Sequence, residues 1–162
     1  MRTWDELSAR AGRNDLPYIL AMAVLGHGTL TDLKEIAIGI QNAWTLAEWP
    51  EQAIDRDIWL TLFQTSGFLF NELSITPPSH PINLYRGAVP KYRIGMSWTD
   101  DLERAEWFAH RFDGMRGTIS GRVYTVTAPH EAILAHFTEA RGENEWVLDA
   151  NRVARRIRLL HA

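Results

Sequence analysis

Residues 84–99, with the sequence LYRGAVPKYRIGMSWT, decide how the second half of this chain folds. A short apolar run lies at each end of this stretch, and each run is typical of a β-strand. The first strand would carry Arg86 at its tip, and the second would carry Ser97. A third apolar run, at residues 146–148, directly follows Glu145. The pattern therefore predicts an arginine, a serine and a glutamate at strand ends, where a rigid scaffold can hold an anion beside a hydroxyl.

Three short motifs within this half stand in a fixed order: Tyr85-Arg86-Gly87, Ser97-Trp98-Thr99 and Glu143-Asn144-Glu145. They resemble the arginine, serine-threonine-serine and glutamate-x-glutamate motifs of the ADP-ribosyltransferase superfamily. The helix-like segment DDLERAEWFAHRF at residues 100–112 adds to the resemblance. The resemblance covers about the last half of the chain and none of residues 1–80. Trp98 and Thr99 depart from the family motif, so Ser97 is its firm match.

The resemblance implies an enzyme that uses NAD as a co-substrate, needs no metal, and releases nicotinamide. ADP-ribose would pass to a macromolecular acceptor, namely a protein. Because two glutamates stand at i and i+2, the resemblance also implies that the modified side chain is an arginine. The residues that would bind NAD are Tyr85, Arg86, Gly87, Ser97 and Thr99, and the catalytic pair would be Glu145 and Glu143.

The chemistry of NAD cleavage explains why these residue types would be needed. The guanidinium group of Arg86 could donate two parallel hydrogen bonds to phosphate oxygens, as binding of the NAD pyrophosphate requires. Gly87 would let the backbone approach the nicotinamide, because a glycine has no side chain to collide with it. Ser97 would orient the nicotinamide ribose. Glu145 would stabilise the oxocarbenium-like sugar, and Glu143 would position or deprotonate the acceptor.

Two other functions fit the same residues. An NAD glycohydrolase would use water as the acceptor. A non-catalytic protein-binding module, such as a phage-encoded inhibitor, would keep the fold and use Trp44, Trp49 and Trp59 of its helical half as contacts. Small phage and bacterial transferases, including toxins and anti-CRISPR proteins, act in the cytoplasm of a cell or of an infected host, and the resemblance implies the same location here.

Composition limits the alternatives. The chain has 162 residues, a net charge of −3 and a pI near 6.1, so it has no overall basic field to attract nucleic acid. The absence of cysteine excludes disulfides and thiolate catalysis. The six histidines are scattered and form no HExxH pattern, so a zinc site is not predicted. No apolar run is long enough for a membrane span.

Periodicity in the first half predicts helices. A capping box at Thr3 and Glu6 begins one helix, Asp15 and Pro17 begin another, and apolar stripes predict two more, over residues 30–46 and 54–66. Three prolines between residues 77 and 81 separate this half from the strands.

We therefore predict an α+β protein, in which a helical region (residues 1–80) packs on a small split antiparallel β-sheet (residues 81–162). The resemblance implies that this sheet is of ADP-ribosyltransferase type. Four aromatic residues of the second half are predicted to lie in its core: Trp98, Trp107, Phe108 and Trp146. In an alternative, one of them, or Tyr85, stacks on nicotinamide.

Overall fold

The computed structural model describes residues 2–139 and 144–161, with side chains through residue 160. The chain is an α+β protein, as predicted, and it divides into two compact units. The first unit contains the residues up to Thr76 together with a segment that begins at Phe137. The second contains Pro77–His136 together with the segment that begins at Asn144.

Helices dominate the first unit, and the predicted helices are confirmed. The capping box forms, since Glu6 donates its backbone N–H to Thr3 Oγ1 and Thr3 donates its own to Glu6 Oε2. The elements are α1 (Trp4–Ser8), α2 (Leu16–Ala21) with a π-helical turn (Met22–Gly26), α3 (Leu33–Leu46), α4 (Pro50–Ala53), α5 (Arg56–Ser66), β1 (Leu69–Phe70) and β2 (Leu73–Ser74). No helix within the described ranges is long and apolar enough to cross a bilayer.

Aromatic side chains fill the core of the first unit. The rings of Trp44 and Trp59 meet edge to face at 5.0 Å between centroids, and Phe63 packs against both. Phe137 joins this cluster through Phe63 at 6.5 Å. These rings are almost fully buried, so Trp44 and Trp59 stabilise the unit rather than present a contact surface. Trp49, the third tryptophan of the predicted contact surface, is 49% exposed.

The second unit is built on six strands. Its elements are β3 (Ile82–Ala88), β4 (Ser97–Thr99), α6 (Leu102–His110), β5 (Arg122–Ala128), β6 (Ile133–Phe137), β7 (Glu145–Leu148), α7 (Ala150–Val153) and β8 (Arg158–His161). The strand order is β6-β7-β4-β3-β5-β8, and the pairs β7–β4, β4–β3, β3–β5 and β5–β8 are antiparallel. The three motif strands β3, β4 and β7 are thus neighbours, although β4 and β7 are far apart in sequence.

Helix α6 packs on the face of β3 and β5 that carries Tyr85 and Gly87. Ala105 and Ala109 of α6 form a buried cluster with Val123 of β5, and Tyr85 packs against it. Of the aromatics predicted to be core, Trp98 and Trp146 are buried and Phe108 is half-buried, but the prediction was wrong for Trp107, which is 52% exposed. The reason is that the small alanines, one turn apart, form the packed stripe and turn Trp107 to the outside.

Gly87 illustrates how closely α6 approaches the sheet. A Cβ atom added to Gly87 would lie 1.9 Å from the carbonyl oxygen of Ala105 and 2.5 Å from the amide nitrogen of Ala109, both of which are backbone atoms. Only a glycine at this position allows the helix to lie so near the strand.

We therefore expect Gly87→Ala to destabilise the fold as a whole, because α6 must move away from β3. Overpacking of this kind costs about 1–3 kcal/mol or more. Denaturant unfolding would measure this loss, with Gly12→Ala as the control, since a Cβ at Gly12 meets only Asp15 Oδ2 at an ordinary 3.6 Å. Unchanged stability in Gly87→Ala would contradict the packing role.

Candidate functional site

Ser97 and Glu145 form the centre of the candidate site. In the antiparallel β4–β7 pair, Thr99 lies opposite Glu145 and Ser97 opposite Val147. Directly opposed residues, and residues two apart on a strand, share one face of a sheet, so Ser97 and Glu145 are diagonal neighbours on the same face. Ser97 Oγ donates a hydrogen bond to Glu145 Oε2 at 2.6 Å. Both side chains are half-buried, so the pair is organised yet reachable from solvent.

Arg86 joins this pair through the backbone. Its Nη1 donates to the carbonyl of Ser97 at 2.8 Å, and its Nε and Nη2 donate to the carbonyl of Tyr92 at 3.2 and 3.1 Å. Because Tyr85 lies opposite Thr99, the side chain of Arg86 starts from the other face of the sheet. The guanidinium therefore holds the start of β4 and the preceding turn, beside the residue that carries the candidate hydroxyl.

Gly95 makes room for this guanidinium. A Cβ atom at Gly95 would lie 2.3 Å from Arg86 Nη2 and 2.4 Å from Arg86 Cζ. Gly95 itself is buried, and its carbonyl accepts a hydrogen bond from Trp98 Nε1 at 2.9 Å. The glycine is therefore part of the site, even though it lies outside the three motifs.

We expect Gly95→Ala to displace the Arg86 guanidinium while leaving the fold intact. A guanidinium is the far end of a flexible side chain and can move, but its bonds to Ser97 and Tyr92 would then be lost. If the site cleaves NAD, this variant should lose about tenfold in rate or more, because one charge-assisted hydrogen bond is worth about 1.5–3 kcal/mol and about 1.4 kcal/mol corresponds to tenfold.

Nicotinamide release and thermal unfolding measure this effect together, with Gly12→Ala as the control. Retained release in a folded Gly95→Ala variant would remove Arg86 from the reaction. The two glycine variants should therefore have different effects. Gly95→Ala should lower activity, whereas Gly87→Ala should lower stability.

A polar network fixes the start of β7 from the opposite face. Asp100 accepts hydrogen bonds from Asn144 Nδ2 and, at 3.1 Å, from Trp146 Nε1. The amide oxygen of Asn144 pairs with His136 Nε2, and the His136 ring stacks on Trp146 at 3.7 Å between centroids. These contacts hold the side chains of both residues that flank Glu145.

The remaining predicted site residues have roles in the fold. Tyr85 packs against the α6 cluster, and Gly87 permits the approach of α6. Thr99 is buried, and its Oγ1 accepts a hydrogen bond from the backbone N–H of Asp101 at 3.0 Å, just before α6. Contact of these three residues with NAD stays a prediction. Glu143 lies outside the described residues.

Several residues of this region were not predicted from sequence. In the sequence, His136 is one of six scattered histidines, and Asn144 is only the spacer between two glutamates. The Tyr92 carbonyl and Gly95 carry no side-chain signal. The sequence does place Asp100, Asn144 and Trp146 next to motif residues. This adjacency indicates that they lie near the site, but it does not predict their hydrogen bonds.

The described residues contain no group of three His, Cys, Asp or Glu side chains that could hold a metal ion. Comparisons with protein-family models, with curated proteins and with solved structures find no match to this chain. Any function must therefore be argued from the residues and their geometry.

Proposed function

We propose that this protein is a mono-ADP-ribosyltransferase that cleaves NAD and transfers ADP-ribose to a protein acceptor, with arginine as the favoured acceptor side chain. The observation that carries the proposal is the hydrogen bond from Ser97 Oγ to Glu145 Oε2 at 2.6 Å. These two residues are 48 positions apart, and Arg86 donates to the backbone of the same serine. Residues picked out by a resemblance in sequence thus contact one another in space, on neighbouring strands.

The proposed reaction uses the positive charge already present on the nicotinamide ring. The bond between the ribose C1′ and the nicotinamide nitrogen breaks, and nicotinamide leaves as a neutral molecule with the bonding electron pair. Positive charge then develops on the ribose. The Glu145 carboxylate stabilises it electrostatically and accepts a hydrogen bond from a ribose hydroxyl. Ser97 holds the carboxylate in place before NAD binds.

The acceptor completes the reaction. A nucleophilic nitrogen of an acceptor guanidinium forms the new bond to C1′ and loses a proton, which Glu143 accepts in this proposal. Arg86 keeps Ser97 in position and offers its positive charge to the pyrophosphate. We propose that the reaction takes place in the cytoplasm, which for a phage protein is the cytoplasm of the host.

Agmatine, a small molecule with a guanidinium group, tests the transferase activity. The protein would be incubated with NAD and agmatine, and products would be identified by mass spectrometry. ADP-ribosyl-agmatine supports the proposal. Nicotinamide and free ADP-ribose alone, with agmatine and with arginine-containing proteins, would instead identify an NAD glycohydrolase.

A non-catalytic binding module is the second candidate, and the bonds of Arg86 favour it. Three N–H groups of its guanidinium are directed at backbone carbonyls, as in an arginine that only stabilises a turn. The structural roles of Tyr85, Gly87 and Thr99 agree with that interpretation. Calorimetry with NAD, together with an assay of nicotinamide release, distinguishes the two candidates. A module that only keeps the fold would neither bind NAD nor release nicotinamide.

A further inference from the structure

An arginine-lined groove lies in the second unit, away from Ser97 and Glu145. It has a volume of about 370 Å³ and is lined by Pro81, Thr127, Pro129, Arg155, Arg156 and Arg158. Arg155 and Arg156 belong to a 3₁₀ turn (Ala154–Arg156), and Arg158 begins β8, opposite Thr125 of β5. The short turn and the strand start together bring three guanidinium groups to one groove.

Among the residues that the structure describes, these three arginines have no acidic partner. Within the described ranges, no carboxylate lies within 4.0 Å of Arg155, Arg156 or Arg158, and all three are exposed. Arg152, one turn earlier, differs because it pairs with Asp149 at 3.4 Å. Like charges placed together repel one another, and an anion bound between them would relieve this repulsion.

The groove is separate from the candidate active site. Thr127 lies opposite Asn83 on β3, whereas Arg86 lies opposite Tyr124, three residues or about 10 Å further along the strand. Strand β8 lies on the far side of β5 from β3 and β4. Since neighbouring strands are about 4.8 Å apart, β8 and β4 are separated by roughly 14 Å across the sheet.

The lining indicates the chemical class of the anion. A guanidinium can bind two phosphate oxygens at once, and the described lining of the groove contains three arginines and no lysine. The rings of Pro81 and Pro129 add apolar surface, on which a sugar or a base can rest. A chain with a net charge of −3 does not favour a long polyanion, so a compact phosphate ligand fits better than nucleic acid.

We propose that this groove is a binding site for a nucleoside diphosphate or a similarly sized phosphorylated small molecule, distinct from the NAD site. Its phosphates would lie among Arg155, Arg156 and Arg158, and its sugar or base against the prolines. This inference does not depend on the proposed reaction, because it uses none of the residues of the candidate active site.

Calorimetry of the full chain with ADP at low ionic strength tests the proposal. We expect ADP to bind, inorganic pyrophosphate to compete with it, and added salt to weaken binding. Arg155→Gln/Arg156→Gln/Arg158→Gln should weaken ADP binding by at least about tenfold, because one charge-assisted contact is worth about that factor. Arg152→Gln is the matched control and should bind ADP as the natural chain does.

Further measurements separate this site from the NAD site. The triple variant should unfold at an unchanged temperature, since its arginines are exposed, and should release nicotinamide as the natural chain does. Should the triple variant not fold, the three single variants should each weaken ADP binding. Equal ADP affinity in the triple variant, or no ADP binding at millimolar concentration, would overturn the proposal. So would tighter binding of polyglutamate or duplex DNA than of ADP, or a loss of nicotinamide release in the folded triple variant.

Discussion

Glu145→Gln is expected to lower the release of nicotinamide from NAD by about 10²–10³, because it removes one charge that stabilises the transition state. The substitution keeps the shape of the side chain. The amide oxygen of glutamine can still accept the hydrogen bond that Ser97 Oγ donates in the natural chain. We therefore expect little change in stability or in NAD binding, and a loss confined to the chemical step.

Initial rates of nicotinamide release, together with the thermal unfolding temperature, measure this effect. Glu131→Gln is a suitable control, because Glu131 is an exposed glutamate of the same unit whose carboxylate pairs with His130 at 3.3 Å. If Glu145→Gln releases nicotinamide at the natural rate, the carboxylate beside Ser97 takes no part in the reaction.

Glu143→Gln is expected to suppress transfer by about 10²–10⁴ while nicotinamide release continues with water as the acceptor. The difference follows from the proposed roles, since Glu143 would act only on the incoming guanidinium. This prediction rests on the resemblance in sequence, because Glu143 lies outside the described residues.

The two glutamine variants are best compared in one assay that follows both free ADP-ribose and ADP-ribosyl-agmatine. Glu145→Gln should reduce both products, and Glu143→Gln only the second. The reverse pattern, in which Glu143→Gln stops nicotinamide release and Glu145→Gln does not, would assign the catalytic carboxylate to Glu143.

The elements that sequence predicts well are those with local signals. The capping box at Thr3 and Glu6 involves residues three apart, and the stripe along α3 repeats at helical spacing, so both can be read without knowing the fold. Strand β6 was missed although its burial alternates, with Ile133, Ala135 and Phe137 buried. Alanine has a low preference for strands, and this weakened the pattern. The hairpin of β1 and β2 has only two residues in each strand, too few for any periodicity.

The site depends on information that a local pattern does not contain. The contact of Ser97 with Glu145 requires the pairing of β4 with β7 in one register, across 48 residues of chain. The two glycines on either side of the β3–β4 connection look equivalent in sequence. In the structure, Gly87 faces the backbone of α6 and Gly95 faces the guanidinium of Arg86, so their roles differ. This difference can be recognised only from the tertiary structure, which shows what each glycine contacts.

The most direct test of the central proposal, that the Arg86, Ser97 and Glu145 array cleaves NAD, is to incubate the purified protein with NAD and quantify nicotinamide by chromatography. Glu145→Gln and Glu131→Gln would be measured in parallel. Release by the natural chain and by Glu131→Gln, lost in Glu145→Gln, is the predicted result. No release above the spontaneous rate, with or without arginine-containing acceptors, would contradict the proposal.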